Sequence, residues 1–122
     1  MVEKKLTDVD ISDIFPPPDE RIVSLVKALR RRGYTTMGSC EGGKKGDHPH
    51  PFPWVTVYGV GFDTDPTHQQ LTQELVQFNR ESEIKWTTRV NAIQPTKAAS
   101  DQKGLSKLQG SARKLADFLF NR

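Results

Sequence analysis

Glu83-Ile84-Lys85-Trp86-Thr87-Thr88-Arg89-Val90-Asn91-Ala92-Ile93 decides the reading of the fold. Ile84, Trp86, Thr88, Val90 and Ala92 alternate with Lys85, Thr87, Arg89 and Asn91. Side chains two apart share a face in an extended chain, so this period predicts one strand with a buried and a solvated side. Pro95 ends it. A sheet with one wet face is covered on the other face only, which points to an antiparallel arrangement. The expected class is therefore α+β, a small three-stranded, mostly antiparallel sheet with helices packed on one face.

The remaining elements follow on either side. Ile22, Leu25, Val26 and Leu29 recur at helical spacing after Asp19, a suitable N-cap, and before Gly33, a suitable C-terminal stop. Arg30-Arg31-Arg32 close that helix, where cations suit the dipole or reach a phosphate. Tyr34-Thr35-Thr36-Met37 reads as a short strand leading into Gly38, and Trp54–Val60 as a second strand. Asp65-Pro66 opens a second helix whose apolar face is Leu71, Leu75, Val76 and Phe78. Leu105, Leu108, Ala112, Leu115, Ala116 and Leu119 predict a third, with Phe118 and Phe120 flanking the stripe. Trp54 and Trp86 are expected in the core and His68 on the surface. Residues 1–18 read as an N-terminal arm anchored by Ile14 and Phe15, and 95–104 as a polar loop.

The 122 residues fit one domain, 1–122, with 34% hydrophobic and 27% charged side chains. No apolar run approaches a membrane span, no signal peptide is expected, and a single cysteine forms no internal disulfide. A reducing, cytoplasmic setting is the expectation. The net charge of +3 is unevenly spread, with six acids against two lysines in residues 1–20 and six cations against two acids in 97–122. The basic end suits an anionic partner or nucleic acid.

Chemistry concentrates in residues 38–54, Gly38-Ser39-Cys40-Glu41-Gly42-Gly43-Lys44-Lys45-Gly46-Asp47-His48-Pro49-His50-Pro51-Phe52-Pro53-Trp54. Three readings compete. In an anion site, Ser39, Glu41 and the Gly42 and Gly43 amides orient a ligand, Lys44 and Lys45 add charge, and Trp54 walls the loop. In a metal site, Cys40, His48 and His50 supply sulfur and two nitrogens, Pro49 holding the histidines extended on one side. In a thiol enzyme, Cys40, Glu41 and His48 are the catalytic groups. The P-loop spacing and the paired cysteines of structural zinc sites are both absent.

The pattern T-x-x-S-C-E-G followed by P-W-V, carried here by Thr36, Ser39, Cys40, Glu41, Gly42, Pro53, Trp54 and Val55, resembles a family of small bacterial proteins of unassigned activity. Many members of that family have histidine after the glycine; this chain has Gly43. Gly33-Tyr34-Thr35-Thr36 and Ser39-Cys40-Glu41-Gly42 are more loosely similar to the wybutosine-synthesis methyltransferase family, implying a loop that faces a ligand. The leading expectation is a small anionic or nucleotide-like ligand at the Ser39–Trp54 loop. The alternatives are a metal- or thiol-dependent enzyme, and a protein or nucleic-acid interaction module using the basic C-terminal helix. Docking of a protein there calls for an exposed Phe118 or Phe120. The sequence names no cofactor and no oligomeric state.

Overall fold

A computed structural model describes residues 9–14, 18–43 and 51–121. The described elements are a 3-10 turn (Glu20–Ile22), α1 (Val23–Arg31), β1 (Thr36–Cys40), β2 (Trp54–Val57), α2 (Pro66–Glu81), β3 (Trp86–Arg89), β4 (Ala92–Pro95) and α3 (Gln102–Phe120). The strands form one antiparallel sheet in the order β1-β2-β4-β3. Both β2 and β3 run antiparallel to β4 and therefore parallel to each other. α2 joins them, so β2-α2-β3 is a split βαβ unit with β4 between its strands.

The class expected from the sequence holds, with four strands among the described residues where three were expected. Residues 83–93 do not form one strand. Arg89 pairs with Ala92, so Val90 and Asn91 make a two-residue hairpin turn. Asn91 takes a left-handed φ of 54°, which asparagine tolerates better than most side chains. The turn also reverses the expected facing after Thr88. Val90 is 67% exposed and Ile93, not Ala92, is buried.

Register assigns the two faces, because paired residues point the same way. Ser39 pairs with Val55, Val55 with Ile93, Ile93 with Thr88, and Pro95 with Trp86. These face the helices, and Val55, Ile93 and Trp86 join Ile22, Leu25, Leu29, Leu71, Leu115 and Leu119 in one core. Burying a large aliphatic side chain contributes about 1.5–3 kcal/mol, so this layer dominates the stability. Trp54, Thr56, Ala92, Gln94 and Thr87 lie half-buried on the opposite face. Trp54 thus leaves the core position expected of it, while Trp86 occupies one.

Smaller shifts have local causes. Asp19 does not cap α1 with its side chain; its carboxylate accepts from the Glu41 amide at 3.1 Å. β1 starts at Thr36, so Gly38-Ser39-Cys40 is strand and not loop. Val76 is half exposed on the outer side of α2. Asp65 caps α2 as expected, accepting from the Thr67 amide at 2.8 Å with Pro66 as the first helical residue. Gly33 closes α1 at φ 93°. Ile14 is in the core, and Phe15 lies outside the described residues. His68 is half-buried, its Nδ1 accepting from the Gly61 amide at 3.0 Å, because the chain after β2 folds back over the start of α2.

Candidate functional site

Of the residues singled out in 38–54, the structure describes Ser39, Cys40, Glu41, Gly42, Gly43 and Trp54; Lys44, Lys45, His48 and His50 lie outside the described residues. The described ones form a structural knot. The Glu41 amide donates to Asp19, and the Glu41 carbonyl accepts from Gln109 Nε2 at 3.0 Å. Gln109 Oε1 in turn accepts from Arg21 Nη1 at 2.8 Å. The Gly42 amide donates to Cys40 Sγ at 3.3 Å. The strand end is thereby tied to the start of α1 and to the middle of α3. These two amides are engaged within the protein and do not point at a ligand.

Cys40 is 4% exposed. Burial, with the Asp19 and Glu41 carboxylates adding to it, holds the thiol above its ordinary range, so it is a neutral thiol rather than a thiolate at neutral pH. Gly42 sits at φ 90°, and a Cβ there would lie 2.7 Å from the Phe52 carbonyl carbon and 2.9 Å from Leu105 Cδ1. Glycine is required by close approach of two backbones. Ser39 Oγ is buried and has no partner among the described residues. Trp54 and Gly38 are neighbours on the open sheet face, where the indole ring crosses the glycine. Among the described residues no group of three His, Cys, Asp or Glu side chains could hold a metal.

The three arginines that close α1, Arg30 and Arg31 in its last turn and Arg32 as its cap, are also engaged. Arg30 binds Asp13 of the N-terminal arm and both Thr36 Oγ1 and Thr36 O. Arg31 stacks 4.7 Å above the Phe120 ring. Arg32 pairs with Glu74 at 2.5 Å, a carboxylate only 5% exposed. Its loss would leave a buried charge, so the pair is structural in character. Phe118 and Phe120 are both half-buried, Phe118 against Phe78 at 5.5 Å, so neither is an exposed anchor for a protein partner.

Among the described residues, cations without an ion-pair partner collect instead on α3, at Lys103, Lys107 and Lys114. Asp101 caps this helix, accepting from the Gly104 amide at 2.7 Å. Its solvent face carries Lys103, Lys107, Arg113 and Lys114, with Ser106 and Gly110 between them. Asp117 is the acid on that face among the described residues and lies 3.8 Å from Arg113. A Cβ on Gly110 would meet nothing within 4 Å, so no packing demand explains a glycine in mid-helix. The last turn of α3 has no basic residue, whereas α1 has Arg30 and Arg31 there. The α3 cations are therefore not placed to complement the helix dipole, and Lys103 sits at the end where the dipole opposes it.

A groove runs beside this face. Three adjoining cavities of about 210, 360 and 460 Å³ share Glu83 as a common wall. α3 forms one side through Lys107 and Lys114, and residues 82–85 and 96–100 form the other. The groove is held open by defined bonds. Trp86 Nε1 donates to Ser111 Oγ at 2.9 Å, fixing α3 against β3. Asn79 donates to the Trp86 carbonyl at 2.8 Å and accepts from its amide at 2.9 Å, pinning the edge strand to α2. The Lys85 ammonium caps the carbonyls of Asn79 and Ser82 at the end of α2. The Ala99 amide donates to the Pro51 carbonyl at 2.8 Å and orders the 96–100 segment.

Sequence reasoning recognised the basic C-terminal helix but not the groove. Its walls come from three separate segments, and no single stretch of sequence carries its signal. Comparisons with protein-family models, with curated proteins and with solved structures found no match. Among the described residues no helix is long and apolar enough to cross a membrane.

Proposed function

We propose that this protein is a nucleic-acid-binding module that holds a phosphate backbone against the solvent face of α3. The observation that carries this reading is the row Lys103, Lys107, Arg113 and Lys114 around the side-chain-free Gly110. A helix rises 1.5 Å per residue, so Lys103 and Lys114 stand about 16 Å apart along the axis. That spans roughly five nucleotides of one strand at about 3.4 Å each. Small residues in the centre let the backbone approach while the lysine ends close around it. Ion pairs with phosphate release counterions, and the binding is correspondingly salt-dependent.

The test is fluorescence anisotropy with labelled oligonucleotides between 50 and 300 mM salt. With three to four phosphate contacts, the slope of log K against log salt is about −2 to −4. Replacing Lys103, Lys107, Arg113 and Lys114 with alanine abolishes binding and leaves the unfolding temperature within a few degrees. Absence of binding at 50 mM salt overturns the proposal, as does a slope near zero. Retained binding in the quadruple variant, with loss in a Lys44→Ala/Lys45→Ala variant, would move the anion site to the 38–54 loop.

A further inference from the structure

We infer that the groove beside α3 takes a single strand with unpaired bases, and not a duplex. This rests on the proposal that α3 binds a phosphate backbone, and it names the form of nucleic acid. Lys107 and Lys114 line the α3 side, and Lys97 stands on the opposite wall, which belongs to a different segment. Ile84, Leu108, Ala98 and Ala99 give this part of the groove its apolar lining, beside the polar Glu83, Thr96 and Ser100. At the far end lies the tilted Phe78–Phe118 pair, with rings at 58°. A channel with cations on both walls and apolar side chains between them matches a chain that carries phosphate on one side and flat base faces on the other. A duplex keeps its base faces stacked inside and offers those apolar side chains nothing to cover them.

Glu83 bears on which base is preferred. It belongs to all three cavities, and a carboxylate in a phosphate channel repels the backbone. Glu81 lines the end near the phenylalanines as well. A carboxylate does have a use against a base edge, where it accepts from an exocyclic amino group such as cytosine N4. In a single strand both hydrogens of that amino group are available on the unpaired edge. The groove therefore combines lysines for phosphate with Glu83 for an amino-bearing base. Cytosine and adenine are favoured over thymine or uracil.

The experiment compares labelled oligo(dC), oligo(dT) and a hairpin duplex at 50 mM salt, using the full chain and two variants. Lys97→Glu removes the wall cation farthest from α3 and lies in an exposed loop, so the fold tolerates it. The expected result is single strands bound about tenfold more tightly than duplex, and oligo(dC) about tenfold or more above oligo(dT), the lower end for one hydrogen bond to a charged acceptor. Lys97→Glu reduces the single-strand salt slope by about 0.7 and leaves duplex binding unchanged. Glu83→Ala removes the preference for oligo(dC). Equal binding of duplex and single strands, both lost in the α3 quadruple variant, overturns the inference while the α3 reading stands. Unchanged single-strand binding by Lys97→Glu overturns it likewise. Binding of none of the three probes overturns both.

Discussion

Gly110→Ala separates folding from function in opposite directions. Gly110 lies in the middle of α3, exposed, and an added methyl group meets nothing within 4 Å. Glycine in an exposed helix interior is about 0.8–1 kcal/mol less favourable than alanine. The substitution therefore stabilises the protein by nearly that amount. For a domain of this length that is a rise of about 4 °C in Tm, read by circular dichroism, with a matching shift in the urea midpoint at unchanged m. The same position is the low point between Lys107 and Lys114. Gly110→Gln keeps the charge and nearly all the helix propensity but fills that point, so it keeps most of the stability and weakens oligonucleotide binding about tenfold, roughly 1.4 kcal/mol. A destabilised Gly110→Ala refutes the packing argument. Binding by Gly110→Gln equal to the parent refutes the claim that the strand crosses α3 there.

Two further expectations concern the scaffold. Gly42→Ala combines a left-handed φ of 90° with contacts of 2.7 and 2.9 Å, and costs about 2–4 kcal/mol in urea unfolding. Gly33→Ala, at φ 93° in open space, costs about 1 kcal/mol; equal losses at the two positions would refute the close-approach argument. Stability also falls in alkali. Burial raises the Tyr34 hydroxyl, with the Glu74 charge adding to it, and burial raises the Cys40 thiol above ordinary values of 10.0 and 9.0. The unfolded chain releases these protons first, so the stabilisation is whole below about pH 9 and declines as pH rises through 9 to 10 and beyond. Tyr34→Phe flattens the part of the urea-midpoint profile above pH 10. An unchanged slope there would assign the alkaline loss to other groups.

How much of this was legible in the sequence depended on whether the signal was local. α2 was readable because Asp65, Pro66 and the apolar spacing act within a few residues. α3 was readable for the same reason. The Glu83–Ile93 stretch misled because a two-residue turn interrupts an alternating run without any glycine to mark it. Only Asn91 betrayed the turn, and its strength comes from distant partners. Its amide donates to Val60 O, its carbonyl accepts from the Val57 amide, and its side chain accepts from the Gly59 amide. No period in the sequence encodes those bonds.

The same distinction explains the site. Residues 38–54 stand out through composition, and composition does not reveal that the Glu41 amide and carbonyl fasten β1 to Asp19 before α1 and to Gln109 of α3, while the Gly42 amide is taken by Cys40 Sγ. Arg30-Arg31-Arg32 likewise looks like a phosphate cluster until each arginine is seen with its own partner. Charge becomes available to a ligand only where the fold leaves it unspent. On α1 the cations brace Asp13, Phe120 and Glu74. On α3 Lys103, Lys107 and Lys114 face outward around a glycine that packing does not require, and Arg113 alone of that row lies near a carboxylate, Asp117. Helix stability would be better served by alanine at 110. The glycine kept there is consistent with the proposed polyanion on the solvent side of α3, which alanine and glutamine at position 110 test separately.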